Sequence, residues 1–130
     1  MFSKTTHKIK VTVEPEFLAD YSEPIDEHYV WAYTVQVENG SDQTLQLVER
    51  HWDITDASGQ MQVVEGEGVV GEQPILLPGE GFKYTSGTAL PTPSGIMVGR
   101  YRMQADDGSN LDIDIPAFSL DSPYQIERPN

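Results

Sequence analysis

The chain contains no cysteine, and this single absence removes several kinds of chemistry. Disulfide bonds, zinc sites built on thiolates and cysteine nucleophiles are all excluded. The absence fits a reducing compartment, where disulfides are rare. The sequence also has no apolar stretch behind Met1 that resembles a secretion signal, and no apolar run long enough to cross a bilayer. We therefore expect a cytoplasmic protein.

Basic residues are scarce. The sequence has 8 lysines and arginines against 21 acidic residues, which gives a formal net charge of −13. Such a chain repels phosphate backbones and anionic lipid headgroups, so we expect neither nucleic acid nor a membrane as its partner. Cations, or a basic patch on a partner protein, are the complementary ligands. A simpler alternative is that the charge only keeps the protein soluble.

No segment shows helical periodicity, because the apolar residues recur at every second position. Ile9, Val11 and Val13 alternate with polar residues, and the same pattern returns along the chain between turn signals. Seven or eight short strands of this kind predict an all-β fold, an antiparallel sandwich of two sheets, with a closed barrel as the alternative. We expect one domain over residues 1–130, with its core between about residues 6 and 124 and a loosely held tail from residue 121.

Local signals predict several of the connections between strands. Asn39-Gly40 is typical of a tight hairpin, and a change of strand parity near Leu47-Val48 predicts a β-bulge. Residues 15–27 and 66–81 are interrupted by proline or glycine and are predicted to be loops, the first with room for one helical turn.

Residues 66–71 match the pattern G-x-G-x-x-G, which in dinucleotide-binding folds brings a helix N-terminus to a pyrophosphate. The context argues against this function, since Pro74 disfavours a helix directly after the glycines and the neighbouring glutamates would repel phosphate. The alternative is a glycine-rich loop between strands, whose tip is either tucked into the core or offered to a partner. The residues concerned are Gly66, Gly68, Val69, Val70 and Gly71.

A second cluster surrounds His51. If Trp52 and Ile54 point inward, then Glu49, His51 and Asp53 share the outward face of one strand. An imidazole between two carboxylates can hold a divalent cation weakly, which makes His51 and Asp53 the candidate metal ligands. Two-residue spacing on one strand gives poorly convergent ligands, so a surface row of ion pairs is the alternative.

Nothing in the sequence supports nucleophilic catalysis. There is no G-x-S-x-G elbow, and Ser86 lies at the end of a predicted strand with no identifiable base. Acidic residues are so abundant that no single pair of carboxylates is informative. We therefore predict no enzymatic activity, no catalytic residues and no cofactor.

A set of motifs stands in a distinctive order along the chain. They are Trp31-Ala32-Tyr33-Thr34-Val35, Arg50-His51-Trp52-Asp53-Ile54-Thr55-Asp56, the glycine loop with Glu72-Gln73-Pro74, Tyr84-Thr85-Ser86-Gly87, Pro93-Ser94-Gly95 and Ile115-Pro116-Ala117-Phe118. This order resembles that of the bacterial ApaG family over about residues 6–124. The resemblance implies a sandwich of the fibronectin type III or immunoglobulin type.

The resemblance also implies a physiological role. The ApaG family is linked to cobalt resistance and magnesium efflux without a settled biochemical activity. Related domains occur in a eukaryotic F-box protein and in a polymerase-delta-interacting protein. This distribution implies a protein-interaction module.

Our leading hypothesis from the sequence is therefore a binding module with an unknown protein partner. The glycine loop, with Trp52 and with Tyr84 or Tyr101 nearby, is predicted to form one wall of a groove in which an extended peptide or a sheet edge docks. Three alternatives remain open. They are direct weak binding of a divalent cation, nucleotide or pyrophosphate binding through the loop, and a homodimer formed through sheet edges.

Overall fold

The described part of the chain, residues 1–124 of a computed structural model, is built mainly from β-strands. The nine strands in this part are β1 (Phe2–Thr6), β2 (Ile9–Phe17), β3 (Tyr29–Asn39), β4 (Leu45–Asp56), β5 (Met61–Glu67), β6 (Ile75–Leu76), β7 (Gly81–Leu90), β8 (Gly95–Ala105) and β9 (Asn110–Leu120). Two short 3₁₀ turns, Ala19–Tyr21 and Pro24–Asp26, separate β2 from β3. No helix in this part of the chain has the length and apolar character needed to cross a bilayer.

The strands form two antiparallel sheets that pack face to face, as the alternating pattern predicts. The first sheet has the order β1-β2-β3-β7, and the second has the order β5-β4-β8-β9 with β6 paired beside one end of β4. The prediction of a sandwich is confirmed, and the barrel alternative is wrong because the two sheets remain separate. The prediction of seven or eight strands falls short because it lacked β1 and the two-residue β6.

The core lies between the two sheets and follows directly from the period of two. In β8, for example, every odd-numbered residue from Gly95 to Ala105 is buried and every even-numbered one is exposed. Aromatic side chains from both sheets meet at its centre, where the rings of Tyr33 and Trp52 lie 5.5 Å apart and those of Trp52 and Phe118 lie 5.9 Å apart. These tilted and edge-on contacts fix how the sheets stack.

The hairpin predicted at Asn39-Gly40 is wrong, because β3 and β4 belong to different sheets. Neither residue has a positive φ, so the turn that suits a two-residue hairpin does not form. Asn39 is instead buried, and its side-chain amide donates to the carbonyl oxygens of Gln43 and Leu76. The asparagine therefore anchors a crossing between the sheets, a role that its sequence context does not distinguish from a hairpin.

The predicted bulge is confirmed, whereas the two predicted loops are shorter than expected. The bulge near Leu47-Val48 is confirmed, since the register of β4 against β8 shifts between Leu47 and Glu49. The two predicted loops are shorter than expected, because β2 continues to Phe17 and because β5 and β6 occupy parts of residues 66–81.

The predicted loose tail begins at residue 121, and residues 125–130 of it lie outside the described residues. Residues 121–124 are held against the first sheet. The indole nitrogen of Trp31 donates to the carbonyl oxygen of Asp121, 2.8 Å away. The ring of Tyr124 packs against those of Phe17 and Tyr29.

Candidate functional site

The glycine pattern of residues 66–71 leads into a turn between strands and not into a helix. Gly66 still belongs to β5, and Val69 and Glu72 exchange two backbone hydrogen bonds of 2.8 and 2.9 Å. Val70 and Gly71 occupy the two central positions with φ of 43° and 81°, the geometry of a tight hairpin turn. Because no helix N-terminus follows the glycines, the phosphate-cradle mechanism of the nucleotide hypothesis is wrong.

Gly68 shows why glycine is required in this loop. Its φ is 62°, and a Cβ atom at this position would lie 2.1 Å from the carbonyl oxygen of Glu72. No other residue fits so close to the returning backbone. The sequence alternative of a glycine-rich loop between strands, with close backbone approach, therefore accounts for the motif.

The loop is fastened to the bulge in β4. Gly68 N and Gln73 Nε2 both donate to the carbonyl oxygen of Val48, at 2.7 and 3.0 Å. The Arg50 guanidinium donates to the carbonyl oxygens of Glu67 and Gly68, at 3.1 and 2.9 Å. The bulge turns a carbonyl group out of the ladder, and the loop uses it as an anchor.

The three aromatic residues predicted to wall a groove beside this loop do not do so, because they are buried. Trp52, Tyr84 and Tyr101 lie in the core between the sheets, and Val69 is fully buried with them. Of the two valines at the loop tip only Val70 is exposed, with 53% of its surface accessible. The parity of each strand turns these aromatic rings inward, so they are unavailable to a partner.

Tyr84 of the first sheet and Tyr101 of the second meet hydroxyl to hydroxyl in the core. Burial raises the pKa of both groups well above that of a free tyrosine, and it also raises the pKa of Tyr33. The nearby positive charge of Arg50 opposes each of these shifts without reversing them. The hydroxyls therefore stay neutral and form a hydrogen-bonded polar seam between the sheets.

His51 points outward, as predicted, and lies between two carboxylates. Its Nε2 is 3.1 Å from an Asp53 oxygen, and its Nδ1 is 3.2 Å from a Glu65 oxygen. The two nitrogens lie on different edges of the ring, so the two carboxylates do not converge on one point. Within residues 1–124 no three histidine or acidic side chains are grouped to hold a metal ion. Direct cation binding through His51 and Asp53 stays a prediction without a preformed site.

A surface depression on the outer face of the second sheet has a volume of about 490 Å³. We call it the charged cleft. Its lining residues are Glu49, Arg50, His51, Glu65, Gly66, Glu67, Arg100, Arg102 and Asp112. It brings together two residues that the sequence singled out, Gly66 and His51, with three groups that the sequence did not connect to them: the arginines of β8, the glutamates of β5 and Asp112.

The two arginines that β8 contributes to the charged cleft differ in their surroundings. Arg102 lies 3.9 Å from a Glu49 oxygen and 3.8 Å from an Asp112 oxygen, both at the limit of an ion pair. Asp114, the partner of Arg100 in the register of β9, pairs instead with Lys4 at 3.1 Å. Among the described residues no carboxylate lies within 4.0 Å of the Arg100 guanidinium. Arg100 therefore presents its donors to solvent.

An apolar patch adjoins the charged cleft on the same face. It consists of Met61, Val63, Ile96 and Val98, which are between 45% and 65% exposed. On this face Asp53 of β4 lies between Val63 and Val98, and Thr55 lies between Met61 and Ile96, so the patch consists of two apolar pairs on either side of β4. An outer sheet face is usually polar, so four exposed apolar side chains in adjacent rows are unusual.

Strand parity alone places the arginines of β8 on the outward face. It does not show which of their neighbours lie beside them, because the bulge in β4 and the register shift opposite Val98 set the rows across the sheet. No local sequence signal fixes that register, and so the charged cleft was missed.

Fold and site together define a β-sandwich domain whose second sheet has charged and apolar side chains on its outer face. The family model described as ApaG domain matches residues 19–105, and the chain belongs to this family. It is 60% identical to Protein ApaG of Paramagnetospirillum magneticum and 57% identical to Protein ApaG of Rhodospirillum centenum, each over all of both chains. A crystal structure from Bordetella pertussis, described as an ApaA protein, has a TM-score of 0.86 and 43% identity, over 90% of this chain and 95% of that one. The resemblance inferred from the motifs is confirmed.

Proposed function

We propose that this domain is a non-enzymatic protein-interaction module, and that the outer face of the second sheet is its docking surface. The observation that supports the proposal is the contact between the apolar patch and the charged cleft on one exposed sheet face. Protein interfaces commonly combine an apolar centre with a polar rim in which arginine is enriched. The glycine loop is the rigid neighbour of this surface and not its centre.

The partner is expected to match both halves of the surface. Aliphatic side chains of the partner cover Val63 and Val98, which removes apolar surface from water. A carboxylate of the partner accepts hydrogen bonds from the Arg100 guanidinium, which has no ion-pair partner among residues 1–124 and whose planar fork suits two-point recognition. The mixed character of the surface favours a folded partner with an apolar spot beside an acidic side chain.

We expect the family's link to cobalt and magnesium to arise indirectly, through the partner protein that the domain binds. A domain without a preformed metal site influences cation levels most simply by binding a protein that transports or regulates cations. Direct binding of the cation by His51 and Asp53 is the rival explanation. Calorimetry with Co²⁺ and Mg²⁺ separates them: we expect no tight site, and a tight site that His51→Ala abolishes would support the rival.

The docking surface is tested by comparing two single charges placed on different exposed valines. Val98→Asp puts a carboxylate into the apolar patch, and Val70→Asp puts one at the tip of the glycine loop, where the sequence first pointed. Proteins captured from cells by the wild-type domain are identified, purified and titrated against each variant. We expect Val98→Asp to weaken binding at least about tenfold, and Val70→Asp to leave it within about twofold.

Val98→Thr is the matched control, because it keeps the shape of valine and its β-branching without adding a charge. Circular dichroism and thermal melts confirm that each variant folds. If Val70→Asp abolishes binding and Val98→Asp does not, the loop and not the sheet face is the docking surface.

A further inference from the structure

Strand β7 is an edge strand of the first sheet, ten residues long. Within residues 1–124 it pairs only with β3, and no other backbone or side-chain group hydrogen-bonds to the main chain of its residues 82–90. It contains no proline, and its one charged residue is Lys83. A long, flat and nearly uncharged edge is a template for pairing with another strand.

The other three sheet edges carry features that discourage pairing. Strand β1 has only five residues, and its Lys4 forms an ion pair with Asp114 of β9, which β1 packs against. Strand β5 carries Glu65 and Glu67, and β9 contains Pro116 and a register shift. Short length, charge, proline and bulges are the usual protections of an edge, and β7 has none of them except one lysine.

The hydrogen-bond pattern shows which groups of β7 are free. Gly40 N donates to the Lys8 carbonyl and Leu18 N to the Val30 carbonyl, so even-numbered residues of β3 face β2. Bonding alternates along an antiparallel pair, so the odd-numbered residues of β3 bond to the even-numbered residues of β7. The free N–H and C=O groups therefore belong to Lys83, Thr85, Gly87 and Ala89.

The inner side of β7 is not fully covered. Ser86 and Thr88 point inward but are only partly buried. An additional strand beside β7 would extend the first sheet, and its inward side chains would then shield these two residues from solvent.

The charges around β7 limit which side chains a strand paired with it can carry. None of the 21 acidic residues falls between residues 81 and 105, although the chain as a whole carries a net charge of −13. A strongly acidic segment is repelled by the whole molecule, and a basic residue opposite Lys83 is repelled locally. The edge therefore suits an uncharged strand.

We propose that β7 is a strand-pairing site for an extended, uncharged segment of a partner protein, rich in β-branched residues. The segment binds through the main-chain groups of Lys83, Thr85, Gly87 and Ala89, and its alternate side chains cover Ser86 and Thr88. This site lies on the sheet opposite the apolar patch, and it stands or falls independently of the docking surface proposed above.

A second copy of the chain fits the edge less well. Two copies bring two net charges of −13 together, and β7 offers ten residues a side. Stable interfaces use about 20–30 residues a side. A short segment from another protein carries no such repulsion and needs no further contact surface.

The probe for this site is a capped peptide of about nine alternating valine and threonine residues, N-methylated at every second amide. Methylation blocks one edge of the peptide, so that it can pair with β7 but not with itself. Hydrogen exchange by NMR is followed with increasing peptide. We expect the amides of the four odd-numbered residues to become at least about tenfold more protected, as new backbone hydrogen bonds form.

A peptide methylated at every amide is the first control and should protect none of these groups. Thr85→Pro removes one free N–H without removing a backbone hydrogen bond to β3, and we expect it to weaken peptide binding about tenfold. It also removes the hydroxyl that bonds to Thr34 of β3, a loss that the control Thr85→Val shares. Thr85→Val keeps the N–H and should bind as the wild type does. If Thr85→Pro misfolds, Ala89→Pro replaces it.

Three results would overturn the proposal. The first is protection at β1, β5 or β9 instead of β7. The second is no protection of the odd-numbered amides at saturating peptide. The third is protection of these amides without peptide in a sample that sediments as a dimer, which would make a second copy the occupant.

Discussion

At the residue scale, the polar groups inside the sandwich are as informative as the apolar ones. The hydroxyl groups of Tyr84 and Tyr101 bond to each other across the two sheets. Their rings were predicted to line a binding groove, and they serve instead to join the sheets. A residue type enriched at interfaces, such as tyrosine, is also suited to a core position where its hydroxyl finds a partner.

This role predicts a particular pattern of mutational effects. Tyr84→Phe leaves the buried Tyr101 hydroxyl without its partner and should lower the free energy of unfolding by about 1–3 kcal/mol. The double variant Tyr84→Phe/Tyr101→Phe removes both hydroxyls and should be less destabilised than the sum of the single changes. Urea denaturation of the four proteins gives the coupling, and additive effects would mean that the hydroxyls do not interact.

Gly68 gives a second prediction at this scale. Alanine at a left-handed position is unfavourable by about 1–2 kcal/mol, and at Gly68 its Cβ also collides with the Glu72 carbonyl. Gly71→Ala is the matched control, because Gly71 has φ of 81° but no atom within 4 Å of the added Cβ. We expect Gly68→Ala to lower the unfolding free energy by at least about 1 kcal/mol more than Gly71→Ala does. Equal effects would show that the loop can shift to accept the methyl group.

At the scale of elements, turns between strands depend on carboxylates that accept hydrogen bonds. Asp56 ends β4, and one of its oxygens accepts from Ser58 N, Ser58 Oγ and Gln60 N at 2.9, 2.6 and 3.1 Å. The Ser58 hydroxyl and these backbone groups lower the pKa of Asp56 below its usual value of 3.8. Asp107 in the turn between β8 and β9 is held in the same way by Ser109.

The lowered pKa of Asp56 fixes the sign of a pH effect. A carboxyl whose folded pKa lies below its unfolded value stabilises the fold above the unfolded pKa, and this contribution is lost as the pH falls through the folded pKa. Asp56→Asn should therefore be less stable than the wild type at pH 6, and the difference should shrink below about pH 4. Urea midpoints between pH 2.5 and 6 measure it. A difference that stays constant with pH would contradict the assigned cause.

The strand assignments show which parts of the fold can be predicted from the sequence. Alternation was sufficient for the long strands, because each has one face in the core, and a break in parity located the bulge at Leu47. Strand β1 was missed because Ser3, Lys4 and Thr5 are exposed and leave no alternating signal. The hairpin predicted at Asn39-Gly40 was wrong because a tight turn and a crossing between sheets use the same residue types.

The candidate site was less predictable than the fold, for a physical reason. His51 and Arg100 are 49 positions apart in the sequence, yet they are partners in the register of β4 and β8. Such proximity depends on the pairing of strands and on every bulge along them, whereas outward orientation depends only on local parity. The sequence therefore identified outward-facing residues but not the surface that they form together.

At the scale of the whole molecule, charge is distributed unevenly. The acid-free segment of residues 81–105 includes β7 and β8, which run through different sheets of an otherwise acidic domain. In β8 it supplies two of the three arginines of the charged cleft and half of the apolar patch. In β7 it supplies the unprotected edge. Each proposed contact surface thus includes a strand that carries no acidic residue.

This distribution predicts that charge reversals act only on their own surface. Arg100→Glu should weaken binding of the partner to the docking surface at least about tenfold, because it places a glutamate carboxylate against the carboxylate of the partner. Lys83→Glu changes the net charge by the same amount on the opposite sheet and should leave that affinity within about twofold. Calorimetric titration measures both. Equal losses would mean that overall charge, and not Arg100, governs binding.

The central claim is that partners meet the outer face of the second sheet. The most direct measurement is NMR of methyl groups during titration with a purified partner. We expect the methyl signals of Met61, Val63, Ile96 and Val98 to shift or broaden together, while that of Val70 stays in place. Changes confined to Val70 and the glycine loop, with the four patch signals unmoved, would contradict the account.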